Sequence, residues 1–240
     1  MKLVKLGLLS LSVLVSAASL QAQSADEIIS KHLDAIGGKE KLSSITSVRM
    51  EHTMQVMGAD APSTTVIMNG KGYRNEAEFN GQKMVQVYTE KDGWAINPMT
   101  GGPDPEPMPE AQFNAGKDQI YVVPFLNYET RGDKAQLMGQ EKVGSTNAYK
   151  IQLIDKNNQG TTYYFDPANY FIIKTVKSAE MMGQQMEVAT IYSEFKKTDY
   201  GWVIPHTIEI NMGGQFSITG KVNKVEVNAP VDATLFDMKK

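Results

Sequence analysis

The side chains that could do chemistry in this chain are few and scattered. It has no cysteine, so no thiol nucleophile, thiolate metal site or disulfide can be built. The three histidines, His32, His52 and His206, fall on separate stretches. None shows the i, i+4 pairing that would set two imidazoles on one helical face around zinc. Core or surface roles are expected for all three. Asp92, Asp166 and Asp199 stand at Asp-Gly, Asp-Pro and Asp-Tyr-Gly turn signals, where a short carboxylate bonds its own backbone. No nucleophile elbow, phosphate-binding glycine loop or dinucleotide fingerprint occurs. The expectation is a protein that is not an enzyme and holds neither metal nor cofactor; a hydrolase whose site is assembled only in space is the remaining catalytic alternative.

Methionine is the residue out of proportion. Thirteen of the fourteen lie beyond Met1, among them Met57, Met68, Met99, Met108, Met181, Met182, Met186 and Met212. An unbranched thioether adapts to irregular apolar partners. Met50, Met54 and Met84 lie on the apolar faces of early strands and are the best candidates to line a ligand cavity. The alternative is that methionine fills an irregular core.

The chain opens as an export signal. Lys2 and Lys5 precede an apolar run from Leu6 to Leu20, and Gln21-Ala22-Gln23 offers a small residue for cleavage. The run is about 15 residues, short of the ~20 that span a bilayer. Cleavage near Ala22 would leave a periplasmic, unanchored protein of about 218 residues, a length that suits one large β domain. Two lysines would leave with the signal, giving 22 basic against 27 acidic residues and a net charge of −5. No basic stripe appears, which argues against nucleic acid as a partner.

The elements that would position a site follow from periodicity. Ser24 and Glu27 suggest a capping box, Ile28, Ile29, His32, Leu33 and Ile36 make a helical apolar stripe, and Gly37-Gly38 ends it. Lys39–Ser44 can continue as a short turn of helix. From Ile45 the period becomes two. Strands are expected over Val48–Val56, Thr64–Met68, Tyr73–Phe79, Lys83–Thr89 and Trp94–Asn97, joined at Asn69-Gly70, Asn80-Gly81 and Asp92-Gly93. The second half continues with Ala148–Ile154, Thr161–Phe165, Tyr170–Lys177, Gln185–Lys196, Trp202–Met212 and Phe216–Val227, with Met182-Gly183 among its turns. Eleven antiparallel strands are too many to stay flat, so a mainly β half-barrel is expected. Between the halves, Gly101–Pro109 is proline-rich and expected to stay out of the sheet. It leads into an apolar stretch interrupted by Pro124, and the insertion over about 101–132 reads as a lid or as a loop tucked over a sheet edge.

Four local patterns carry a family resemblance. The first helix runs into Lys41-Leu42-Ser43-Ser44-Ile45 and a strand. Asp92-Gly93-Trp94-Ala95-Ile96-Asn97-Pro98 forms an aromatic Asp-Gly hairpin, and Tyr163-Tyr164-Phe165-Asp166-Pro167 an aromatic turn. The chain closes from Gly201 through Val203-Ile204-Pro205 and Asn228 to Leu235-Phe236. In these it resembles the LolA-like family of periplasmic outer-membrane lipoprotein-sorting carriers. That resemblance implies an open half-barrel with an N-terminal helix, a helical or loop lid, and an apolar cavity between them. The cavity and lid would draw on Met50, Met54, Met84, Tyr88, Trp94 and Ile96, on Phe113, Ile120, Val123, Phe125 and Leu126, and on Ile208 and Ile210. The implied ligands are lipoprotein acyl chains or other lipids, and the implied partners an inner-membrane releasing complex and an outer-membrane acceptor. The lipoprotein carriers tether the lid by an arginine in an early strand; the matching stretch here is Asn69-Gly70-Lys71-Gly72-Tyr73-Arg74, and neither Lys71 nor Arg74 aligns firmly with it. A carrier or binding protein for hydrophobic, acylated ligands is the leading expectation, with an envelope lipid or protein sensor, or interaction module, as the alternative.

Overall fold

The computed structural model describes residues 23–238 apart from 57, 100, 182, 183 and 215, so the expected signal, Met57 and the Met182-Gly183 turn lie outside the described residues. The first helix forms where its stripe requires it. In α1 (Ala25–Ala35) the Ser24 hydroxyl accepts from the Glu27 amide at 3.1 Å, and Ile28, Ile29, His32 and Leu33 are buried. The Glu27 carboxylate pairs with Lys31 at 2.7 Å, so the cap is bonded from the serine side. Beyond the helix, Gly37 (φ 145°) and Gly38 (φ 87°) adopt left-handed backbone, and the Gly38 amide closes onto the Leu33 carbonyl at 2.8 Å. The short α2 (Lys39–Ser43) follows.

Among the described residues the strands form one antiparallel sheet of thirteen that does not close into a barrel. From one edge inward run β6 (Glu106–Pro107), β5 (Gly93–Ile96), β4 (Gln82–Thr89), β3 (Gly72–Phe79), β2 (Ala59–Met68) and β1 (Ser47–Val56). The sheet continues through β13 (Phe216–Val227), β12 (Val203–Met212), β11 (Gln184–Lys197), β10 (Ile172–Met181), β9 (Gly160–Phe165), β8 (Thr146–Ile154) and β7 (Lys134–Val143). Two meanders are thus sewn together by pairing the first strand with the last.

The mainly β open sheet agrees with expectation, and the two strands beyond the expected eleven have physical reasons. Glu106-Pro107 pairs with Ala95 and Trp94, contrary to the expectation that the proline-rich stretch stays out of the sheet. Proline is tolerated there because β6 is an outermost strand. In β7 the alternation is broken by a register shift between Leu137 and Gln140, with Gly139 at φ 97°. A bulge on an edge strand hides the period-two signal. Strand β2 also starts earlier than expected, at Ala59, and carries Pro62 where β3 no longer pairs with it.

Alternation gives the sheet two faces. The inner one carries α1 and the segment 110–131. Its core gathers Ile28, Leu33, Val48, Phe125, Ile151 and Phe165. His32 is sealed in this core, with its Nδ1–H donating to the Tyr170 carbonyl at 2.8 Å and its ring edge-on to Phe165 at 5.3 Å. Burial pushes its pKa down to about 4, with the Tyr170 bond opposing. The unfolded chain takes up this proton near pH 6.5 and the folded chain only near 4, so stability should fall as pH drops through that window and level off below it. The full loss amounts to about 3 kcal/mol. Urea midpoints measured from pH 7 to 4 should slope less steeply in His32→Gln than in the wild type.

The outer face has its own smaller core, in which Val66, Val85, Val87 and Trp94 pack under Phe236 of the C-terminal 3₁₀ turn Ala233–Phe236. The Trp94 Nε1–H donates to the Phe236 carbonyl at 2.9 Å, and Arg74 donates to the Leu235 carbonyl at 3.0 Å with its guanidinium over the Trp94 ring. Gly72 is glycine because a Cβ there would sit 2.7 Å from the Phe236 ring.

Candidate functional site

The inner face is built by register. Met50 opposes Thr65 and Val225, and Met54 opposes Ala61 and Gly220. Asn75 opposes Gln86, and Tyr73 opposes Tyr88. Across the other half, Thr175 opposes Tyr163 and Thr190, Lys177 opposes Thr161 and Val188, and Tyr192 opposes Ile208. Methionines, isoleucines and hydroxyl-bearing side chains therefore share one surface.

The lid lies across it. Helix α3 (Glu110–Gly116) runs into the 3₁₀ turn Lys117–Ile120, and a second 3₁₀ turn spans Tyr128–Arg131. Tyr88 is the pillar beneath α3: it stacks on Phe113 at 6.4 Å, and a Cβ on Gly116 would overlap its ring. Burial pushes the Tyr88 hydroxyl up to about 12. The lid is held at its far end by backbone. The Asn69 carboxamide accepts from the Val122 amide at 3.1 Å and donates to the Ile45 carbonyl at 3.0 Å, while the Gly70 amide donates to the Ile120 carbonyl at 2.8 Å. Arg131 staples the lid to itself, donating to the Leu126 carbonyl at 2.8 Å and covering the Tyr121 ring at 4.2 Å. The tethers are thus Asn69 and Arg131, and Arg74 serves the opposite face.

Among the described residues, hollows between sheet and lid include two of note. The larger, about 530 Å³, has Tyr163, Lys177, Tyr192, Ile208 and Ile210 among its floor residues and α3, Asp118, Tyr121 and Pro124 above. The smaller, about 440 Å³, lies toward β5 and is lined by Asn75, Met84 and Gln86 opposite Met108 and Gln112. Both volumes fall in the range of small-molecule pockets.

The residues expected to line a cavity divide into groups. Ile208 and Ile210 line the larger hollow, and Met84 the smaller. Met54 lines neither hollow; it lies over Gly220, where a Cβ would stand 2.7 Å from the Met54 sulfur and 2.8 Å from Ile208. Tyr88 and Phe113 stack beneath α3 and line neither hollow. Val123 and Phe125 belong to the core under α1, with Met50 and Leu126 packed against it, and Ile120 is buried at the lid's tether. Trp94 packs on the outer face and Ile96 against that same cluster, although Ile96 also reaches the edge of the smaller hollow. Alternation had marked their side of the strand without saying which side was inner.

Sequence reasoning missed the charges. Of the charges lining the larger hollow, Asp155 is paired by Lys117 at 3.2 Å and Asp133 by Arg131 at 3.0 Å. Burial pushes Asp155 up, but the Gln159 amide, Lys117 and the Asn157 amide outweigh it and hold the carboxyl low. Lys177 and Asp118 are left over. Among the described residues neither side chain makes a hydrogen bond or ion pair, and both line the hollow. Burial lowers the Lys177 pKa, with Asp118 as the only charge opposing the shift. A lysine in a strand reads from sequence as solvent-facing; only its register with Thr161 and Val188 reveals otherwise. Among the described residues no three His, Asp or Glu side chains gather to hold a metal, and no helix is long and apolar enough to cross a membrane.

Comparison with known proteins identifies the fold. No protein-family model matches the chain, and no curated protein does. Solved structures do. A LolA superfamily protein from Nitrosomonas europaea shares 13% identity over 90% of this chain and 98% of its own, with a TM-score of 0.59. A DUF1329 family protein from Desulfovibrio piger matches at 11% identity over 90% and 98%, also at 0.59. A domain described as a candidate outer membrane lipoprotein-sorting protein from Vibrio parahaemolyticus matches at 12% identity over 89% and 97%, with a TM-score of 0.58. At such identities the likeness establishes a LolA-like fold.

Proposed function

We propose that this LolA-like fold serves as an exported, non-enzymatic carrier for hydrophobic, acylated molecules, lipoprotein acyl chains among them. In this reading residues 1–22 are a cleaved secretory signal and 23–240 one carrier domain in the periplasm. An inner-membrane complex would load it and an outer-membrane acceptor unload it. The observation that carries the reading is the hollow of about 530 Å³ between the inner sheet face and the lid. Its mechanism is burial: each methylene withdrawn from water contributes about 0.8 kcal/mol, so about ten roughly offset the cost of association. Ile208, Ile210 and the neighbouring Met54 give the chain a deformable apolar bed.

Protein purified from the cells that make it, without detergent, should yield acyl lipid on organic extraction, measured by mass spectrometry at close to one molecule per chain. Extracts holding no lipid above the level of a similarly purified control protein would count against the carrier.

A further inference from the structure

We propose that the larger cavity selects lipids with a zwitterionic phospho-ammonium head, Lys177 taking the phosphate and Asp118 the ammonium. This rests on the carrier reading and adds the head-group chemistry to it.

Most charges around this cavity are already paired: Asp155 with Lys117 and Asp133 with Arg131. What remains is one cation and one anion, each without a hydrogen bond or ion pair among the described residues, facing the same hollow. They do not pair with each other. A half-buried charge without a partner is costly, so a ligand that supplies one to Lys177 gains from it, and the exposed Asp118 adds a charge-assisted bond to any cation held beside it.

Their exposure also sets an order. Lys177 is half-buried on β10, in register with Val188 of β11 and through it with Met212 of β12, two residues along from the Thr175–Thr190–Ile210 row, whereas Asp118 stands exposed on the lid turn. From its half-buried floor to its exposed rim, the cavity thus offers apolar wall and cation together, then anion. A phospholipid read outward from its chains offers hydrocarbon, then phosphate, then ammonium. A purely anionic head would satisfy Lys177 and be repelled by Asp118, and an uncharged head would leave both charges unserved.

Three lipids with the same single acyl chain separate these cases: a lysophosphatidylethanolamine, a lysophosphatidylglycerol and a monoacylglycerol, each titrated below its micelle concentration to displace a bound fluorescent fatty acid. The wild type should bind the ethanolamine lipid about tenfold more tightly than either of the others. Asp118→Asn should abolish its advantage over the glycerol phospholipid. Lys177→Gln should weaken both phosphate-bearing lipids about tenfold and leave the monoacylglycerol unchanged. Both substitutions keep side-chain shape closely and remove a charge, and melting curves check that the variants fold. Equal binding of all three by the wild type, or a phospholipid ratio unmoved in Asp118→Asn, would overturn the head-group assignment and leave the carrier standing. Failure of all three, monoacylglycerol included, would overturn the carrier reading and this inference with it.

Discussion

Phe125→Ala should lower the melting temperature by about 10 °C. Phe125 is 1% exposed and meets four rings: Tyr163 at 4.7 Å, Phe165 at 5.5 Å, Tyr128 at 6.1 Å and His32 at 6.2 Å. It lies in the lid segment but packs in the core beneath α1, so it fixes the lid to the sheet. Truncating a buried phenylalanine costs about 3–5 kcal/mol. In a domain of roughly 200 residues each kcal/mol moves the midpoint by about 2–4 °C. Because Tyr163 also lines the larger hollow, the lid should loosen as well, and limited proteolysis should cut faster within 110–132. A shift under about 2 °C would mean that the lid is not anchored through this ring.

The second large effect is on binding. Ile208→Asp should abolish uptake of a fluorescent fatty acid, with a loss of at least about a hundredfold, because an unpaired carboxylate in an apolar bed must be desolvated when the chain arrives. The protein should still fold, since Ile208 is only half-buried and faces open cavity. Ile191→Asp is the matched control. Ile191 lies next to Tyr192 on β11 but faces outward, opposite Lys174, and is 36% exposed. It should bind as the wild type does. Equal loss in both variants would point to damage to the sheet in place of a cavity wall.

Local signals in the sequence carried most of the fold. The serine cap, the Gly37-Gly38 stop and the Asn-Gly and Asp-Gly hairpins depend on neighbouring residues alone, and they appear where the residues put them. Strands β6 and β7 escaped because each is an edge strand, one only two residues long beside prolines and the other bent at Gly139. Neither has to show the alternation that a half-buried strand needs.

The candidate site was legible in part, and the reason is geometric. Alternation sorts a strand into two sides, but which is inner depends on what later covers each. Trp94 shares its side with Val87 and Val85, and the covering there is Phe236, far along the chain. Ile208 and Ile210 lie on the side that the lid leaves open. Lys177 and Asp118 are brought to one hollow from a strand and a lid turn, and no spacing rule links them.

The central claim, that the space between sheet and lid holds an acyl chain, is tested most directly by titrating the wild-type protein with a fluorescent fatty acid. A saturable, blue-shifted signal with close to one site per chain, displaced by unlabelled lipid, is the expected result. A signal that rises linearly without saturation, or none at all from a folded protein, would contradict it.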